Sequence, residues 1–364
     1  MKILHAHMTM AGGGVEAMIS GLANEMIKDN EVEILTIFEP LETDVFLKKL
    51  DPRIKVSSLG KRGPGISPKY IFKMAEFVRR GNYDVVHIHA FFYYHFLSVV
   101  LNHKRTKYYY TIHSDATMEN DNWDRKLFKL KQFCFKKNWM RPITISKASQ
   151  ESFYNLYHCN STLIPNGVKR PLLTYDKVLN AISQFRFTPD TKVFIHAGRI
   201  SKPKNQVAMC EAFFKLLSEK RDICLLIAGS KQDESIFEKL KPYLDNERIK
   251  YLGERNDIPL LLAGADAMLL PSIWEGLPVV LLESLSVGCI PICSPVGGIV
   301  NVLKEGYNGI LTEGSSAQNI YDAISSYLAL TKKDIRNMRE NCVNSFGEYD
   351  IESTAVRYME AYKS

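Results

Sequence analysis

Short apolar runs alternate with longer amphipathic stretches along the first half of the chain. Apolar runs between polar residues or glycine predict buried strands, and apolar residues three and four positions apart predict helices. The predicted strands are Lys2–Ala6, Glu33–Phe38, Asp84–His89, Tyr108–Ile112 and Pro142–Ile145. The helices predicted between them are Val15–Ile27, Pro68–Arg79 and Asp124–Trp139.

The same alternation restarts in the second half. The predicted strands are Lys192–Ala197, Ile223–Ala228, Ile249–Leu252, Ala267–Leu270 and Ile290–Cys293. The predicted helices are Val207–Leu217, Ser235–Leu244, Leu277–Val287 and Ala317–Leu328. Alternation of this kind predicts parallel sheets covered by helices on both faces. The predicted fold class is therefore α/β, with two doubly wound domains that face each other across a cleft.

The domain boundaries follow from the polar, proline-bounded stretch between the two series, from Pro165 to Asp190. We expect an N-terminal domain of residues 1–170 and a C-terminal domain of residues 171–345. Residues 346–364 contain the amphipathic stretch Ile351–Tyr362. We expect this last helix to pack back on the N-terminal domain.

Length and composition are those of a folded protein. The chain has 364 residues, of which 46% are hydrophobic and 24% charged, which excludes a disordered or fibrous chain. The longest apolar stretches, such as Phe91–Leu101, are shorter than the ~20 residues that a membrane span needs. The first residues predict a buried strand and not a signal peptide. The seven cysteines include no CxxC pair, so we expect a reducing, cytoplasmic setting without structural zinc.

Positive charge is concentrated in the first half. Residues 1–170 contain 25 Lys and Arg against 16 Asp and Glu, whereas the rest of the chain contains 22 against 24. Residues 125–141 combine basic with aromatic and aliphatic positions, a pattern typical of a membrane-surface segment. We expect an anionic membrane surface as a partner, with a solvated lysine face as the alternative. No module for a nucleic acid is recognisable. The basic residues of the segment are Arg125, Lys126, Lys129, Lys131, Lys136, Lys137 and Arg141.

A glycine-rich turn, Gly12-Gly13-Gly14-Val15-Glu16, follows the first predicted strand and opens a helix. Glycine lets the backbone approach a ligand closely, and the free N–H groups at a helix start favour anions such as a diphosphate. The turn lacks the GxGxxG spacing of a dinucleotide site. A tight turn without a ligand is the alternative.

A basic loop follows the first strand of the second half. Gly198-Arg199 and Lys204-Asn205 lie directly after Lys192–Ala197. The forked guanidinium of Arg199 and the point charge of Lys204 suit a pair of phosphates. An exposed basic loop without a ligand is the alternative.

Two glutamates stand eight residues apart, which is the most specific signal in the sequence. The loop Pro271–Pro278 contains Glu275 and follows the predicted strand Ala267–Leu270, and Glu283 lies in the helix after it. Gly276 permits close approach of the backbone. Glu283 has apolar neighbours, and a buried carboxylate is costly unless it is paired or hydrogen-bonded. These features favour a binding role over one surface and one capping glutamate.

His113 ends a predicted strand of the first half, where ligand-contacting residues of such sheets lie. His5, His7, His87 and His89 alternate along apolar strands and predict hydrogen bonds in the core. A metal site built from these four is the weaker hypothesis, because no carboxylate or thiolate pattern accompanies them.

Taken together, these motifs resemble the retaining glycosyltransferases of family GT4, which have the GT-B fold of two Rossmann-like domains. The matching features are the Gly13–Glu16 turn, His113, the pair Arg199 and Lys204, and the E-x7-E spacing from Glu275 to Glu283. Gly288-Cys289-Ile290-Pro291 and Gly297-Gly298 match the downstream glycine signals of the family. The extra glycine, Gly12, leaves the register of the turn open.

The resemblance implies an activity and a substrate class. It implies a retaining, metal-independent hexosyltransferase that moves a sugar from a nucleoside-diphosphate sugar, most commonly UDP-linked, to a glycan or lipid-linked glycan acceptor. The setting would be surface polysaccharide biosynthesis, with no cofactor. The N-terminal domain would bind the acceptor and the C-terminal domain the nucleotide sugar.

The resemblance also assigns roles to single residues. Arg199 and Lys204 would hold the donor diphosphate and neutralise the leaving group. Glu275 would contact the transferred sugar or its phosphate, Glu283 would accept hydrogen bonds from the ribose hydroxyls, and His113 would contact the sugar near the reacting carbon. The remaining donor-binding positions would be Gly13, Gly14, Arg255, Ile258, Gly276 and Leu277, with Arg255 and Ile258 beside the base.

Two other kinds of function stay open from the residues. An epimerase or phosphorylase of the same fold would need an acid–base set or a cofactor lysine, and neither is clear. A non-catalytic scaffold subunit is disfavoured by the intact Glu275–Glu283 spacing and by the basic pair of Arg199 and Lys204. A donor-hydrolysis assay separates these alternatives.

Overall fold

The chain forms two compact units. The computed structural model describes every residue except 43, 64, 120 and 121, and the side chains of residues 122 and 123 also lie outside the described part. Unit 1 comprises Met1–Val168 and Ile351–Ser364, and unit 2 comprises Lys169–Asp350. The boundaries expected at 170/171 and 345/346 lie a few residues away from these, because the 3-10 turn Gly347–Tyr349 belongs with unit 2.

Unit 1 is built on one parallel sheet. Its strands are β1 (Lys2–His7), β2 (Glu31–Phe38), β3 (Lys55–Lys61), β4 (Val85–Ile88), β5 (Lys107–Ile112), β6 (Arg141–Thr144) and β7 (Thr162–Leu163). Their order in the sheet is β3-β2-β1-β4-β5-β6-β7. Parallel neighbours need crossover connections, which helices supply. These helices are α1 (Gly14–Met26), α2 (Pro68–Gly81), α3 (Phe92–Asn102), α4 (Asn122–Lys126), α5 (Phe128–Lys136) and α6 (Lys147–Tyr157).

Unit 2 repeats the architecture with its own parallel sheet. Its strands are β8 (Lys192–Ala197), β9 (Ile223–Ala228), β10 (Ile249–Gly253), β11 (Ala267–Leu270), β12 (Ile290–Cys293) and β13 (Ile310–Leu311). The sheet order is β10-β9-β8-β11-β12-β13. Its helices are α7 (Tyr175–Ser183), α8 (Gln206–Ser218), α9 (Glu234–Leu244), α10 (Ile258–Gly264), α11 (Val279–Ser286), α12 (Ile299–Val302), α13 (Ala317–Leu328) and α14 (Lys332–Ser345).

The last helix, α15 (Ile351–Lys363), belongs to unit 1. It packs beside α1 and buries Ile351, Ala355, Tyr358 and Tyr362 in the core on one face of the sheet. The hydroxyl of Tyr109 in β5 donates to the carbonyl of Ala361. Helix α15 therefore covers, together with α1, the face of the unit 1 sheet on which this core lies.

The predicted α/β fold class is confirmed, and so is the alternation of strands and helices. Three short or edge strands, β3, β7 and β13, were not predicted. The sequence of β3, Lys55–Lys61, mixes charge, serine and glycine, which suits a protected sheet edge and obscures the strand pattern. Helix α7 lies within the stretch that was expected to be a polar junction.

The single helix predicted over Asp124–Trp139 is wrong. The structure has α4 and α5 instead, because Leu127 between them leaves helical geometry at φ −94° and ψ 9°. Within the described part of the chain, no helix combines the length and the apolar character that crossing a membrane requires.

Candidate functional site

Three histidines meet at the carboxyl edge of the unit 1 sheet. His7 ends β1, His89 follows β4 directly, and His113 follows β5 directly. These strands are neighbours in the sheet, so their carboxyl ends bring the three side chains to one place. Ligands of doubly wound sheets bind at this edge. The position of His113 therefore suits the role predicted for it, and that role stays a prediction.

A chain of hydrogen bonds connects His113 to the core. Nε2 of His113 lies 3.1 Å from Nδ1 of His89, and Nε2 of His89 lies 3.1 Å from Nδ1 of His5. Burial lowers the pKa of His113 to about 3 and that of His5 to about 4, and it lowers the pKa of His89 well below its ordinary value. The three imidazoles are therefore neutral at neutral pH.

The glycine turn places an acidic side chain beside this edge. Gly13 is the N-cap of α1, and Glu16 lies in the first turn of that helix. A Cβ atom on Gly13 would lie 2.5 Å from Oε2 of Glu16, so a larger residue would displace that carboxylate. Oε1 of Glu16 lies 3.6 Å from Nε2 of His7. Whether the turn at Gly13 and Gly14 also binds the donor stays a prediction.

The buried histidines do not fit a metal ion. Ligand atoms of His5, His87 and His89 lie within 4.8 Å of one another. Both ring nitrogens of His87 already have hydrogen-bond partners, the hydroxyls of Tyr362 and Thr111. The rings of His87 and His89 stack with centroids 4.1 Å apart and an interplanar angle of 25°. Lone pairs in stacked rings run side by side and do not converge on one ion.

The second candidate site lies in unit 2, at the carboxyl ends of the adjacent strands β8 and β11. The loops after them contain Lys204 and Glu275. Nζ of Lys204 lies 2.5 Å from Oε1 of Glu275, and Oγ of Ser272 donates to the same oxygen at 2.7 Å. The Lys204 and Glu275 side chains are 18% and 10% exposed. The structure thus brings together two of the predicted catalytic residues as an ion pair.

Backbone and amide hydrogen bonds hold these two loops together. The N–H of Ile273 donates to the carbonyl of Pro203 at 2.8 Å. Nδ2 of Asn205 donates to the carbonyl of Pro271 at 3.1 Å. Asn205 has a φ of 57°, in the left-handed region that asparagine tolerates better than most residues. Lys204 is therefore held against Glu275 by its own loop as well as by charge.

A glycine pair packs against the backbone of Glu275. Gly297 has a φ of +55°, and a Cβ atom there would lie 1.9 Å from the carbonyl oxygen of Glu275. The N–H of Gly298 donates to the carbonyl of Gly276. The downstream glycine signal of the sequence is thus explained by close approach of two loops.

Arg199 lies in the same loop as Lys204 and its side chain is exposed. The loop backbone is held by Gln206, whose Nε2 donates to the carbonyl of Arg199 at 2.8 Å and lies 3.2 Å from Nε2 of His196. The other nitrogen of His196, Nδ1, donates to the carbonyl of Leu269 at 2.9 Å. Burial lowers the pKa of His196 to about 4.

Ser272, Gln206 and His196 were missed by the sequence analysis. A serine in the loop before Glu275 and a polar residue opening α8 are the only signals that the sequence offers for them. All three support predicted residues. Ser272 donates a hydrogen bond to Glu275, and Gln206, which contacts His196, donates to the backbone carbonyl of Arg199.

The other predicted donor-binding residues lie near the same edge of unit 2. Glu283 is half-buried in α11, and Gly276 and Leu277 are buried in the loop before it. Arg255 is exposed and forms a two-point ion pair with Asp257, with nitrogen–oxygen distances of 2.9 and 2.6 Å. Ile258 begins α10 and is half-buried. If Arg255 binds the base, its guanidinium must either contact the base while it stays paired with Asp257 or break the ion pair with Asp257.

The basic segment 125–141 contains one lysine that is not on the surface. Nζ of Lys131 lies 3.1 Å from Oδ2 of Asp124, and the two side chains are 2% and 1% exposed. The expectation that all the basic residues of this segment form a surface is therefore wrong for Lys131, which neutralises a buried carboxylate. Five others remain exposed: Arg125, Lys126, Lys129, Lys136 and Lys137.

The apolar residues of the segment mostly join the core. Phe135 and Met140 are buried in the core cluster of unit 1, and Leu127, Phe128 and Leu130 are partly buried against the same cluster. Phe133 is exposed and has Trp139 edge-on at 5.1 Å between ring centroids. The segment thus offers exposed cations and one aromatic pair.

Each of the two units matches a known protein family. Residues 12–170 match the family described as Glycosyltransferase Family 4, and residues 180–345 match the family described as Glycosyl transferases group 1. The chain is 25% identical over 297 residues to the N-acetyl-alpha-D-glucosaminyl L-malate synthase of Bacillus anthracis, covering 80% of this chain and 77% of that protein.

A second relative and a solved structure agree with this. The chain is 28% identical over 226 residues to the UDP-Gal:alpha-D-GlcNAc-diphosphoundecaprenol alpha-1,3-galactosyltransferase of Escherichia coli, covering 59% of this chain and 52% of that protein. Its fold resembles that of Anabaena Alr3699/HepE in complex with UDP-glucose, with a TM-score of 0.84 and 19% identity over 100% of this chain and 99% of that chain.

Proposed function

Because the chain belongs to glycosyltransferase family 4 and has the α/β GT-B fold of that family, we propose a retaining, metal-independent reaction for it. The donor is a nucleoside-diphosphate sugar, and the acceptor is a glycan or lipid-linked glycan in surface polysaccharide biosynthesis. The observation that supports this best is the Lys204–Glu275 pair at the carboxyl edge of the unit 2 sheet. The family resemblance found in the sequence is confirmed.

Lys204 and Arg199 offset the charge of the leaving diphosphate. Lys204 is held in place by Glu275, and Arg199 stands exposed in the same loop. The negative charge of the diphosphate grows as the sugar–oxygen bond breaks, so cations placed beforehand lower the barrier. The N–H groups of Gly276 and Leu277 lie next to Glu275 in the chain and add dipoles of the same sign.

Retention and metal independence rest on the same residues. Charge neutralisation by Arg199 and Lys204 replaces the divalent ion that other transferases use. The acceptor attacks from the face that the diphosphate leaves, so no protein nucleophile takes part. Glu275 contacts the transferred sugar, and Glu283 accepts hydrogen bonds from the ribose hydroxyls.

UDP is the proposed nucleotide. The name of the Escherichia coli relative specifies a UDP-Gal donor and a diphosphoundecaprenol-linked acceptor. The Anabaena structure of the same fold was solved with UDP-glucose. Both facts support a uridine donor, and the first supports a lipid-linked acceptor.

The donor is tested by a screen of nucleotide sugars. A donor present at 100 times its Kd adds about 2.7 kcal/mol to the free energy of unfolding, so stabilisation identifies the base and the sugar together. Product formed from that donor and a lipid-linked acceptor is then examined by NMR. We expect the anomeric configuration of the donor in the product, and activity that persists in chelator. An inverted product contradicts the proposal.

A cytoplasmic membrane face is the proposed location, because a lipid-linked acceptor lies there and Arg125, Lys126, Lys129, Lys136 and Lys137 are exposed. Each such cation contributes about 1 kcal/mol near an anionic surface. Co-sedimentation with anionic and neutral vesicles tests this location.

The vesicle test uses two charge-reversal variants. In the first, Lys126, Lys129, Lys136 and Lys137 become Glu; in the control, four exposed lysines of unit 2 do, namely Lys220, Lys239, Lys241 and Lys250. We expect the first variant alone to lose binding to anionic vesicles. If both variants lose vesicle binding equally, or if the protein binds anionic and neutral vesicles equally, the lysines of segment 125–141 form only a solvated surface and the membrane location is contradicted.

A further inference from the structure

The hydrogen-bonded chain His5–His89–His113 has only two allowed directions. Each of these imidazoles is neutral, so each has one N–H donor and one bare nitrogen acceptor. Every bond in the chain needs a donor at one end and an acceptor at the other. The tautomers of the three rings are therefore coupled, and fixing one ring fixes all of them.

The buried end of the chain selects the direction. Nε2 of His5 is buried and has no hydrogen-bond partner among the residues that the structure describes. In one direction this atom is a bare lone pair, and in the other it is an N–H without an acceptor. Orphaned buried N–H groups are the rarer of the two in proteins. The bare lone pair is therefore favoured, and His5 bears its proton on Nδ1.

The protons of the other two rings follow. Nδ1–H of His5 donates to Nε2 of His89, and Nδ1–H of His89 donates to Nε2 of His113. The proton of His113 must then be on Nδ1, the nitrogen on the side of the ring away from His89.

We propose that His5 and His89 are positioning residues that hold His113 in its Nδ1–H tautomer, so that His113 donates a hydrogen bond to an oxygen of the bound sugar. In this state Nδ1 of His113 cannot accept a proton, and Nε2 is occupied by His89. His113 therefore acts as a donor and not as a general base or nucleophile. The role toward sugar rests on the proposed function, whereas the tautomer does not.

The tautomer is tested directly by nitrogen NMR of the full-length protein labelled with ¹⁵N-histidine. Protonated and bare imidazole nitrogens have well-separated chemical shifts, and the His113 signals are identified by their loss in His113→Asn. We expect a protonated Nδ1 and a bare Nε2 on His113 at neutral pH. A protonated Nε2 on His113 overturns the proposal, whatever the transfer assay gives.

Variants of His89 connect the tautomer to activity. His89→Leu removes the N–H group that donates to His113. We expect kcat/KM for the identified sugar donor to fall about tenfold or more, since the loss of one hydrogen-bond donor aimed at the transition state can cost about 10²-fold. His89→Asn places an amide donor where Nδ1 was, and we expect it to restore the Nδ1–H signal of His113 and most of the activity.

The matched control is His87→Asn. His87 is an equally buried neighbour, but its partners are Tyr362 and Thr111 and it is not part of the chain. We expect it to leave the His113 tautomer unchanged. Equal loss of activity in His87→Asn and His89→Leu, with the His113 signals unchanged in both, overturns the positioning role. A protein that transfers no sugar but shows the Nδ1–H tautomer refutes only the proposed function.

Discussion

Two lysine–carboxylate pairs differ in what surrounds them. Lys131 and Asp124 in unit 1 are almost wholly buried, whereas Lys204 and Glu275 in unit 2 keep 18% and 10% of their side-chain surface exposed. Lys131 also donates to the hydroxyl of Tyr110 and lies 4.3 Å from the centre of that ring. The first pair is closed off by its neighbours, whereas the second stays accessible, and under the proposed function Lys204 exchanges Glu275 for a donor phosphate.

The pKa of Lys131 illustrates this closure. Burial by itself lowers the pKa, but the facing Tyr110 and Asp124 outweigh burial and raise it. Lys131 is therefore charged at neutral pH. A lysine–carboxylate pair by itself therefore does not identify a functional site, because such a site must also be accessible to a ligand.

The two units also differ in their histidines. Five histidines of unit 1 have lowered pKa values, namely His5, His87, His89, His95 and His113, whereas the only histidine of unit 2 is His196. Burial is the main cause in each case. Unit 1 thus holds neutral imidazoles around its candidate site, and unit 2 holds an accessible ion pair.

The largest expected effect is acid destabilisation of unit 1. The folded pKa values, about 4 for His5 and about 3 for His95, lie below the ordinary 6.5. Between pH 6.5 and 4 the unfolded state therefore binds more protons, and stability falls as pH falls. Each such histidine costs about 1.4 kcal/mol per pH unit over that range. Hydrogen exchange at pH 7 and pH 5 should show unit 1 losing protection first, and equal loss in both units would contradict this.

The next largest effect is a loss of folding stability when the buried pair, Lys131 and Asp124, is broken. Lys131→Met removes the cation that faces the buried Asp124, whose Oδ1 still accepts from the N–H of Tyr93, and should lower the free energy of unfolding by about 3–5 kcal/mol. Lys129→Met, an exposed lysine on the same helix, is the control and should change it by less than about 1 kcal/mol. Urea unfolding measures both. Similar small losses in the two variants would show that Asp124 finds another partner.

Breaking the accessible pair, Lys204 and Glu275, should instead reduce turnover. Lys204→Ala removes the cation that we propose offsets the leaving diphosphate, and it should lower kcat by about 10²-fold or more. Lys202→Ala, at an exposed lysine of the same loop, is the control and should retain activity. Steady-state transfer with the identified donor measures both. Near wild-type kcat in a folded Arg199→Ala, Lys204→Ala double variant would remove the assignment.

The smallest expected effect is on binding of the nucleotide. Glu283→Gln should weaken both the sugar nucleotide and the free nucleoside diphosphate by about 1–3 kcal/mol, because a charged acceptor for the ribose hydroxyls is lost. Glu313→Gln, at an exposed glutamate of unit 2, serves as the control. Calorimetry with the nucleoside diphosphate decides, and unchanged affinity in Glu283→Gln would contradict the ribose role.

The sequence was sufficient for the fold class, most strands and the loops that bear Lys204 and Glu275. These follow from local signals: hydrophobic period, glycine, proline and the spacing of two glutamates. The contact between Lys204 and Glu275 was not predictable, since it joins residues of two loops that meet only in the folded sheet. The Lys131–Asp124 pair was missed because a lysine within an amphipathic stretch indicates a surface position.

The histidine chain shows the same limit more clearly. Alternation placed His5 and His7 on one face of a strand, and His87 and His89 on one face of another. The hydrogen bond from His89 to His113 depends on the order of β1, β4 and β5 in the sheet, which no local pattern encodes. Which ring nitrogen of one histidine faces which nitrogen of the next is therefore decided by the folded sheet and not by the local sequence.

Helix α15 gives unit 1 an unusual order of synthesis. Met1–Val168 leave the ribosome first, then the whole of unit 2, and α15 only afterwards. Domains generally fold as units during synthesis, N-terminal first. Unit 2 is a continuous segment and can complete its fold while the nascent chain still lacks Tyr358 and Tyr362. Until those two tyrosines emerge, His87 lacks its Tyr362 partner, so the half of the chain that is made first is the last to be finished.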